Sequence, residues 1–328
     1  MTATADSLLG IGLVGVGRHG SRYLRHLLYD LPGVRLAAIC RKQIAEPPPG
    51  SDVRMYNDYR AMMTDPFVKA VVVVTHPTFC RDICLEAVEQ RKPILIEKPL
   101  ATTGMDARAM VAAASRTGIL LMTAQTMRFD PIILRLKEEL PNIGPLKSAS
   151  LVSHVETKAN ALLVEGKSVP LGALLELGVH LFDLVRFITG DEIRTVKSRM
   201  DPLPPAVPEL RVSVDLRTSG GIDCCLDIAR VDSQRTGKAE WVGENGRLTV
   251  DWGTRRLTGR FNDGAVLDRI VEPQPTVLAT LRAFVDAIET GSPPKITGLD
   301  GCRAVEAVDA CYRSAMLGGT IVEVETAF

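Results

Sequence analysis

A glycine-rich segment near the N-terminus constrains the fold of this chain more than any other feature. Residues 15–20 read GVGRHG, directly after a short aliphatic run and directly before a stretch with helical spacing. The pattern G-x-G-x-x-G between a strand and a helix is typical of dinucleotide-binding βαβ units, and a purely structural turn is the alternative. The N-terminus of the helix would offer free N–H groups to a pyrophosphate. We therefore expect this loop to contact a cofactor through Gly15, Gly17, Arg18, His19 and Gly20.

Strand-like and helix-like segments alternate through the first 126 residues. Among them, Ala70–Val74 is rich in valine, which indicates a strand buried on both faces. This alternation predicts parallel βαβ units, and therefore an α/β N-terminal Rossmann domain with a parallel sheet over residues 1–126. Further along, strand-like segments are separated by turn signals such as Ser219-Gly220-Gly221. They predict an α+β C-terminal domain with a large, mainly antiparallel open sheet over residues 127–328, for substrate binding and oligomerisation.

Composition excludes several classes of partner. The 39 basic and 39 acidic residues balance, so no basic excess favours nucleic acid or an anionic membrane. No apolar run is long enough to span a bilayer, and residues 1–9 lack the basic and apolar regions of a secretory signal. The seven cysteines show no zinc-type spacing. This pattern favours free thiols in a reducing cytoplasm and predicts no metal site.

The residues that would read the adenosine ribose lie about 20 positions after the glycines, at the end of the second strand. This chain has Cys40, Arg41 and Lys42 there, with no carboxylate to accept hydrogen bonds from a 2′-hydroxyl. Two cations can instead neutralise a 2′-phosphate, and a solvated basic loop is the alternative interpretation. The sequence therefore favours NADP as the cofactor, with NAD also possible.

A lysine follows one strand of the predicted parallel sheet. In open α/β sheets, ligands bind beyond the carboxyl ends of the strands. Lys98 comes just after a strand at residues 93–96, where a partly desolvated lysine can orient a hydroxyl or carbonyl oxygen or pass protons. A surface lysine is the alternative, because most lysines are exposed. Other residues at the same edge are also expected to contact the cofactor: Thr75, His76, Pro77 and Glu97.

A second group of polar residues falls in a segment with a helical pattern, residues 173–189. Glu176 and His180 are four residues apart and so share one face of a helix, and Asp183 follows three residues later. A carboxylate beside an imidazole orients the ring and raises its basicity, which suits a general base for an alcohol proton. The alternative is a histidine satisfied in the core between the two domains.

Several motifs together resemble the Gfo/Idh/MocA oxidoreductases, named for glucose–fructose oxidoreductase, inositol dehydrogenase and a rhizopine-catabolism protein. The resemblance covers nearly the whole chain and implies a nicotinamide-dependent dehydrogenase that acts on a sugar, a cyclitol or a related polyol. It also implies that Lys98 and His180 are the catalytic pair. The motifs are the glycine loop, Glu97-Lys98-Pro99, Arg128-Phe129-Asp130-Pro131, the sequence GVHLFD at 178–183 and VGENG at 242–246.

This chain departs from the family pattern at two positions. The family commonly has an aspartate four residues before the histidine, where this chain has Glu176. It often has a histidine three residues after the proline that follows the fourth strand, where this chain has Cys80. The residues expected to bind the substrate are Lys98, Glu176 and His180, with Thr126, Arg128 and Asp183 as further lining residues.

Together these observations predict reversible hydride transfer between C4 of nicotinamide and a carbinol carbon of a polyhydroxylated small molecule. His180 would exchange the hydroxyl proton, oriented by Glu176, and Lys98 would polarise the oxygen from the opposite side of one cleft. Two other classes stay open: a dinucleotide-binding regulator or sensor without net turnover, and a redox-neutral enzyme that uses nicotinamide transiently. The open face of the antiparallel sheet is expected to be apolar and covered in a homodimer or homotetramer.

Overall fold

The computed structural model describes residues 8–43, 46–156, 171–204, 207–231 and 235–326. The chain forms two compact units. The first comprises Met1–Thr126 and Pro275–Cys302, and the second comprises Met127–Gln274 and Arg303–Phe328.

Helices and strands alternate in the first third of the chain, and strands dominate the second third. The α-helices are α1 (Gly20–Tyr29), α2 (Tyr59–Thr64), α3 (Cys80–Glu89), α4 (Gly104–Thr117), α5 (Pro131–Glu139), α6 (Val179–Thr189), α7 (Thr276–Thr290) and α8 (Gly298–Met316). The strands are β1 (Leu9–Val14), β2 (Val34–Cys40), β3 (Arg54–Tyr56), β4 (Ala70–Val73), β5 (Ile94–Glu97), β6 (Leu121–Ala124), β7 (Leu146–Glu156), β8 (Ile193–Asp201), β9 (Arg211–Thr218), β10 (Asp223–Val231), β11 (Thr236–Gly243), β12 (Gly246–Asp251), β13 (Arg256–Phe261), β14 (Val266–Ile270) and β15 (Val322–Glu323).

The first unit contains a six-stranded parallel sheet in the order β3-β2-β1-β4-β5-β6. This order confirms the predicted Rossmann domain. Because the strand order reverses between β1 and β4, the carboxyl ends of these strands form the switch point at which such sheets bind ligands. All four residues of β4 are buried, as the run of valines predicts for a central parallel strand.

Local signals explain where the helices of this unit begin and end. The Thr103 hydroxyl accepts a hydrogen bond from the backbone N–H of Asp106 at 3.1 Å and so caps the N-terminus of α4. The same helix ends at Gly118, whose φ of +68° is a left-handed conformation that favours glycine. Within the described ranges, no helix combines the length and apolar content that crossing a membrane requires.

The first unit also includes Pro275–Cys302, although the domain boundary predicted from the sequence places this segment in the second domain. Its helix α7 packs against α1 and β6. The first turns of α8 lie so close to β6 that a Cβ at Gly298 would come within 2.6 Å of the Leu121 side chain, and one at Gly301 within 2.3 Å of the Thr123 hydroxyl. Contacts between segments distant in sequence leave no local pattern, so the periodicity of α7 could not indicate its partner.

The second unit contains a nine-stranded sheet in the order β14-β13-β12-β11-β7-β10-β9-β8-β15. Its neighbouring strands pair antiparallel, except β7 and β10, which run parallel. The predicted large, mainly antiparallel sheet is therefore confirmed. Residues of α5, α6 and α8 share one apolar core with the buried residues of this sheet.

The opposite face of this sheet is charged, which corrects the expectation of an apolar face. Along β9, buried residues alternate with exposed Arg211, Ser213, Asp215 and Arg217. Ion pairs between neighbouring strands cover the face, as between Arg217 and Asp223 at 2.7 Å. The strands alternate as predicted, but polar and charged side chains occupy the solvent positions, and so an apolar face no longer argues for a homo-oligomer.

Candidate functional site

The glycine loop of the first unit has the geometry that its sequence predicts. Gly15 has a φ of +90°, and a Cβ on it would come within 2.3 Å of the Val74 carbonyl oxygen. A Cβ on Gly20 would come within 2.3 Å of the Gly15 carbonyl oxygen. Both glycines are therefore needed for the turn from β1 into α1.

Gly17 differs from its two neighbours, because a Cβ there would meet no protein atom within 4 Å. Packing within the chain therefore does not explain this glycine. A pyrophosphate that approaches the backbone closely would explain it, since a side chain would fill the same space. No side chain caps the N-terminus of α1 at His19, which suits an anion at that place. The loop fits a dinucleotide.

Glu97 connects the glycine loop to the end of β5. One carboxylate oxygen pairs with His19 Nε2, and the other accepts hydrogen bonds from the Lys98 backbone N–H at 3.0 Å and from the Tyr23 hydroxyl at 3.4 Å. Burial, followed by the charge of Glu97, holds the pKa of Tyr23 well above its ordinary value, so the phenol stays protonated and donates. The structure thus brings His19, Glu97 and Lys98 together. Tyr23 was missed by sequence reasoning, because it looks like an ordinary apolar position of α1.

Lys98 follows β5 directly, at the carboxyl edge of the parallel sheet, and its side chain is half-buried. The strands β1 and β4 end at the same edge, because all strands of this sheet are parallel. The lysine therefore lies at the edge where this fold binds ligands, as the sequence predicts. The hydrogen bond from the Lys98 backbone N–H to the Glu97 carboxylate fixes the position of the Lys98 backbone, and so of the atom from which its side chain extends.

The residues after β4 form a short turn at the same edge. His76 Nδ1 accepts a hydrogen bond from the backbone N–H of Thr78 at 3.5 Å and so caps the turn Pro77–Phe79. Thr75 and His76 are half-buried and Pro77 is buried. Cys80, where the family often has a histidine, is buried, and burial raises its pKa to about 12. A neutral, enclosed thiol does not offer the charge or the ring nitrogens of an imidazole.

The end of β2 lies beside an open groove. Arg41 and Arg25 line this groove of about 600 Å³ together with Val16 of the glycine loop. Burial, followed by the charge of Asp58, raises the pKa of Cys40 to about 11, so its thiol is neutral near pH 7. Lys42 is exposed. The groove thus offers two cations, and the carboxylate of Glu46, next to the loop that would hold the pyrophosphate.

In the second unit, the segment Arg128–Pro131 forms two ion pairs. Arg128 donates to both carboxylate oxygens of Asp183, at 2.9 and 2.6 Å. The Asp130 carboxylate accepts hydrogen bonds from the Arg255 guanidinium at 2.8 and 3.0 Å, and it also caps the N-terminus of α5. The Asp183 side chain is only 1% exposed. Asp183, which we expected in the substrate site, therefore lies in a buried pair that attaches the turn at 126–129 to α6, and Thr126 begins this turn half-buried.

Glu176 and His180 stand out from the segment that carries them. Between Gly172 and Leu181 every residue is buried except these two, which are half-buried. Residues Leu174–Gly178 form a π-helical turn that leads directly into α6, so the predicted α-helix begins later than expected. Turns of this kind frequently occur at functional sites. Both side chains therefore keep part of their surface accessible in an otherwise buried segment.

Two further residues of this region were missed by sequence reasoning. Arg230 on β10 pairs through Nη2 with Oε2 of Glu176. Glu209 accepts hydrogen bonds from the backbone N–H of Leu174 at 2.9 Å and from the Tyr312 hydroxyl at 3.0 Å, and so fixes the start of the π-helical turn. Each partner is distant in sequence, and an isolated arginine or glutamate gives no signal that would have identified it.

Comparisons with known proteins show the family and the fold of this chain. A sequence profile described as "Oxidoreductase family, NAD-binding Rossmann fold" matches residues 9–125, and a profile of the GFO/IDH/MocA C-terminal domain matches residues 154–249. Inositol 2-dehydrogenase 1 of Saccharopolyspora erythraea is 30% identical over 335 residues, covering 97% of this chain and 96% of that protein. Inositol 2-dehydrogenase of Salmonella typhimurium is 26% identical over 332 residues, covering 96% and 97%.

Solved structures share the fold. An oxidoreductase from Agrobacterium radiobacter in complex with NAD+, L-tartaric acid and magnesium has a TM-score of 0.84 and 23% identity, covering 96% of this chain and 98% of that chain. Levoglucosan dehydrogenase in complex with NADH and L-sorbose has a TM-score of 0.84 and 20% identity, covering 98% of this chain and 100% of that chain.

The Rossmann unit and its matched profile define the chain as a nicotinamide-dependent oxidoreductase, an enzyme of the dehydrogenase type. It belongs to the Gfo/Idh/MocA family, because profiles for both of that family's domains match it and a relative is 30% identical over almost the full length of both chains.

Proposed function

We propose that the protein transfers a hydride reversibly between C4 of nicotinamide and a carbinol carbon of a cyclitol, a sugar or a related polyol. The observation that carries the proposal is that Glu176 and His180 alone are half-buried within an otherwise buried segment. A partly exposed histidine four residues from a carboxylate suits proton exchange with a substrate hydroxyl, which an enclosed imidazole could not perform. The curated relatives are named inositol 2-dehydrogenases, which supports a ring polyol as the substrate.

In this proposal, His180 takes the hydroxyl proton during oxidation and returns it during reduction. Lys98 donates a hydrogen bond to the same oxygen and stabilises its negative charge as the proton leaves. The bound nicotinamide supplies the hydride acceptor or donor. Glu97, fixed by His19 and Tyr23, keeps the backbone before Lys98 in one place. Glu176 orients the substrate hydroxyls or the imidazole.

We propose NADP as the preferred cofactor. Arg41 and Arg25 line the groove next to the glycine loop, and each can donate to a 2′-phosphate. The neutral thiol of Cys40 adds no negative charge at the end of β2. Lys42 follows Arg41 and is a further, exposed cation, while Glu46 is the acidic residue that lines the groove.

This choice predicts that NADP(H) binds more tightly than NAD(H) in calorimetric titrations. Arg41→Ala should weaken NADP binding about 10- to 100-fold, the effect of losing a hydrogen bond between charged groups, and leave NAD binding nearly unchanged. Arg22→Ala is the matched control, because Arg22 is exposed on α1 and does not line the groove. Equal affinities of the wild type for both cofactors, or tighter binding of NAD(H), would contradict the choice.

NAD is the second candidate, and one observation favours it. Asp58 is close enough to Cys40 for its charge to raise the pKa of that thiol. Its carboxylate also caps α2, accepting from the Arg60 backbone N–H at 2.9 Å. A carboxylate in this region can accept hydrogen bonds from a ribose 2′-hydroxyl. If NAD is preferred, Asp58→Asn should weaken NAD binding more than Arg41→Ala does.

We also propose a homodimer or homotetramer. The exposed face of the large sheet is charged on neighbouring strands, and an interface on it would be weakened by salt. If this face forms the interface, light scattering at low ionic strength should give two or four times the monomer mass of 35.6 kDa. A stable monomer at micromolar concentration would refute the proposal.

We place the enzyme in a reducing cytoplasm. All seven cysteines lie within the described ranges and are free thiols, six of them buried. Free thiols persist where glutathione and thioredoxin keep them reduced.

A further inference from the structure

Arg230 lies at the point where the large sheet meets the segment that carries His180. On β10, buried Cys224, Leu226 and Ile228 alternate with exposed residues, and half-buried Arg230 follows on the same face, between buried Ala229 and Val231. An arginine thus continues a row of apolar residues on the side of the sheet that faces the helices. Its side chain is 14% exposed, which is unusual for an unbound guanidinium, because burying a charge is costly unless it is paired.

The partner of this buried arginine is Glu176. Arg230 Nη2 pairs with Oε2 of the glutamate, whose side chain is 39% exposed. The carboxylate is therefore held by a largely buried cation on one side and reaches solvent on the other. Glu176 and His180 are the two half-buried residues of this segment. They are four residues apart, so the carboxylate and the imidazole lie on neighbouring turns of the segment.

We propose that Arg230 is a positioning residue that holds the Glu176 carboxylate for a second hydroxyl of the substrate, the one next to the reacting carbinol. This inference rests on the proposed function and deepens it. A fixed carboxylate accepts hydrogen bonds from hydroxyls in a defined direction. The preferred substrates are therefore polyols with a hydroxyl on the neighbouring carbon, and Arg230 itself does not touch the reacting atoms.

The test is a double-mutant cycle measured with two substrates. Arg230→Met, Glu176→Gln and the double variant are compared with the wild type on the best polyol and on its deoxy analogue, which lacks the neighbouring hydroxyl. Arg230→Met should raise KM for the polyol about 10-fold or more, the effect of a lost hydrogen bond to a charged group. It should change KM for the deoxy analogue little. In the Glu176→Gln background it should have no further effect.

Controls separate positioning from folding. Arg217→Met removes an ion pair with Asp223 on the opposite face of the same sheet, and it should leave both KM values unchanged. Arg230→Lys keeps the positive charge and provides a second variant if Arg230→Met does not fold. It should retain part of the preference for the polyol over the deoxy analogue.

Each outcome decides the question. Equal effects of Arg230→Met on both substrates, or effects that add to those of Glu176→Gln, would overturn the positioning role while leaving the proposed function intact. A wild-type protein that oxidises no polyol with either cofactor would overturn the proposed function, and this inference with it.

Discussion

Lys98→Ala is expected to slow hydride transfer by at least about 10²- to 10⁴-fold while leaving cofactor affinity nearly unchanged. A loss in this range is the typical effect of removing a general acid–base group. The loss should reach or exceed it, because the substitution also removes a positive charge from the oxygen as negative charge develops there. Lys98 comes after β5 at the ligand-binding edge of the sheet, where its backbone is held by Glu97. A change confined to the side chain should therefore leave the glycine loop in place.

The measurement is single-turnover hydride transfer, followed by the absorbance of reduced nicotinamide. Lys69→Ala is the matched control, because Lys69 is exposed and precedes β4 at the amino edge of the same sheet. We expect the control to react at the wild-type rate. If Lys98→Ala did so too, Lys98 would be an ordinary surface lysine.

His180→Ala is the second large effect, with an expected loss of about 10²- to 10⁴-fold in the same single-turnover rate. The alanine cannot accept the hydroxyl proton, and water would have to replace the imidazole. Cofactor affinity should not change, because the residues expected to bind the dinucleotide lie in the first unit and His180 lies in the second. Glu176→Gln should be milder, since it leaves the imidazole in place.

The matched control for this variant is His154→Ala. His154 lies on β7 in the same unit, and its Nε2 is 2.9 Å from Asp227 on the charged face of the sheet. Removing this imidazole should lower the free energy of unfolding by no more than the contribution of a partly exposed ion pair. The rate of hydride transfer should not change. Wild-type transfer in His180→Ala would mean that this histidine is structural.

The fold could be predicted largely from local patterns. The turn at residues 15–20 needs particular glycines, and β4 needs a run of valines, so both leave a signal in the sequence. The antiparallel sheet was visible from the alternation of its strands. What alternation does not show is the chemistry of the outer face, which is charged because ion pairs such as Arg256–Asp268 cover it.

The candidate site was predictable only in part, because pairs that form across long separations leave no pattern. Arg128 and Asp183 were both interpreted as substrate residues, yet they bind each other across 55 positions. Arg230 follows the row of β10 that faces the helices, but nothing in the sequence pairs it with Glu176. Glu176 and His180 were identified because a spacing of four residues places them on one face of a helix. The segment that carries them begins with a π-helical turn, which the sequence did not indicate.

The central claim, net hydride transfer to and from a polyol, is tested most directly by mixing the wild-type protein with NADP+ or NAD+ and a panel of cyclitols and sugars. Reduced nicotinamide and the amount of polyol consumed are measured together. We predict that the two change in a one-to-one ratio with at least one polyol, and that NADP+ gives the faster reaction. Cofactor binding with neither change would indicate a regulator or sensor. Consumption of polyol without accumulation of reduced nicotinamide would indicate a redox-neutral enzyme, and either result would contradict the claim.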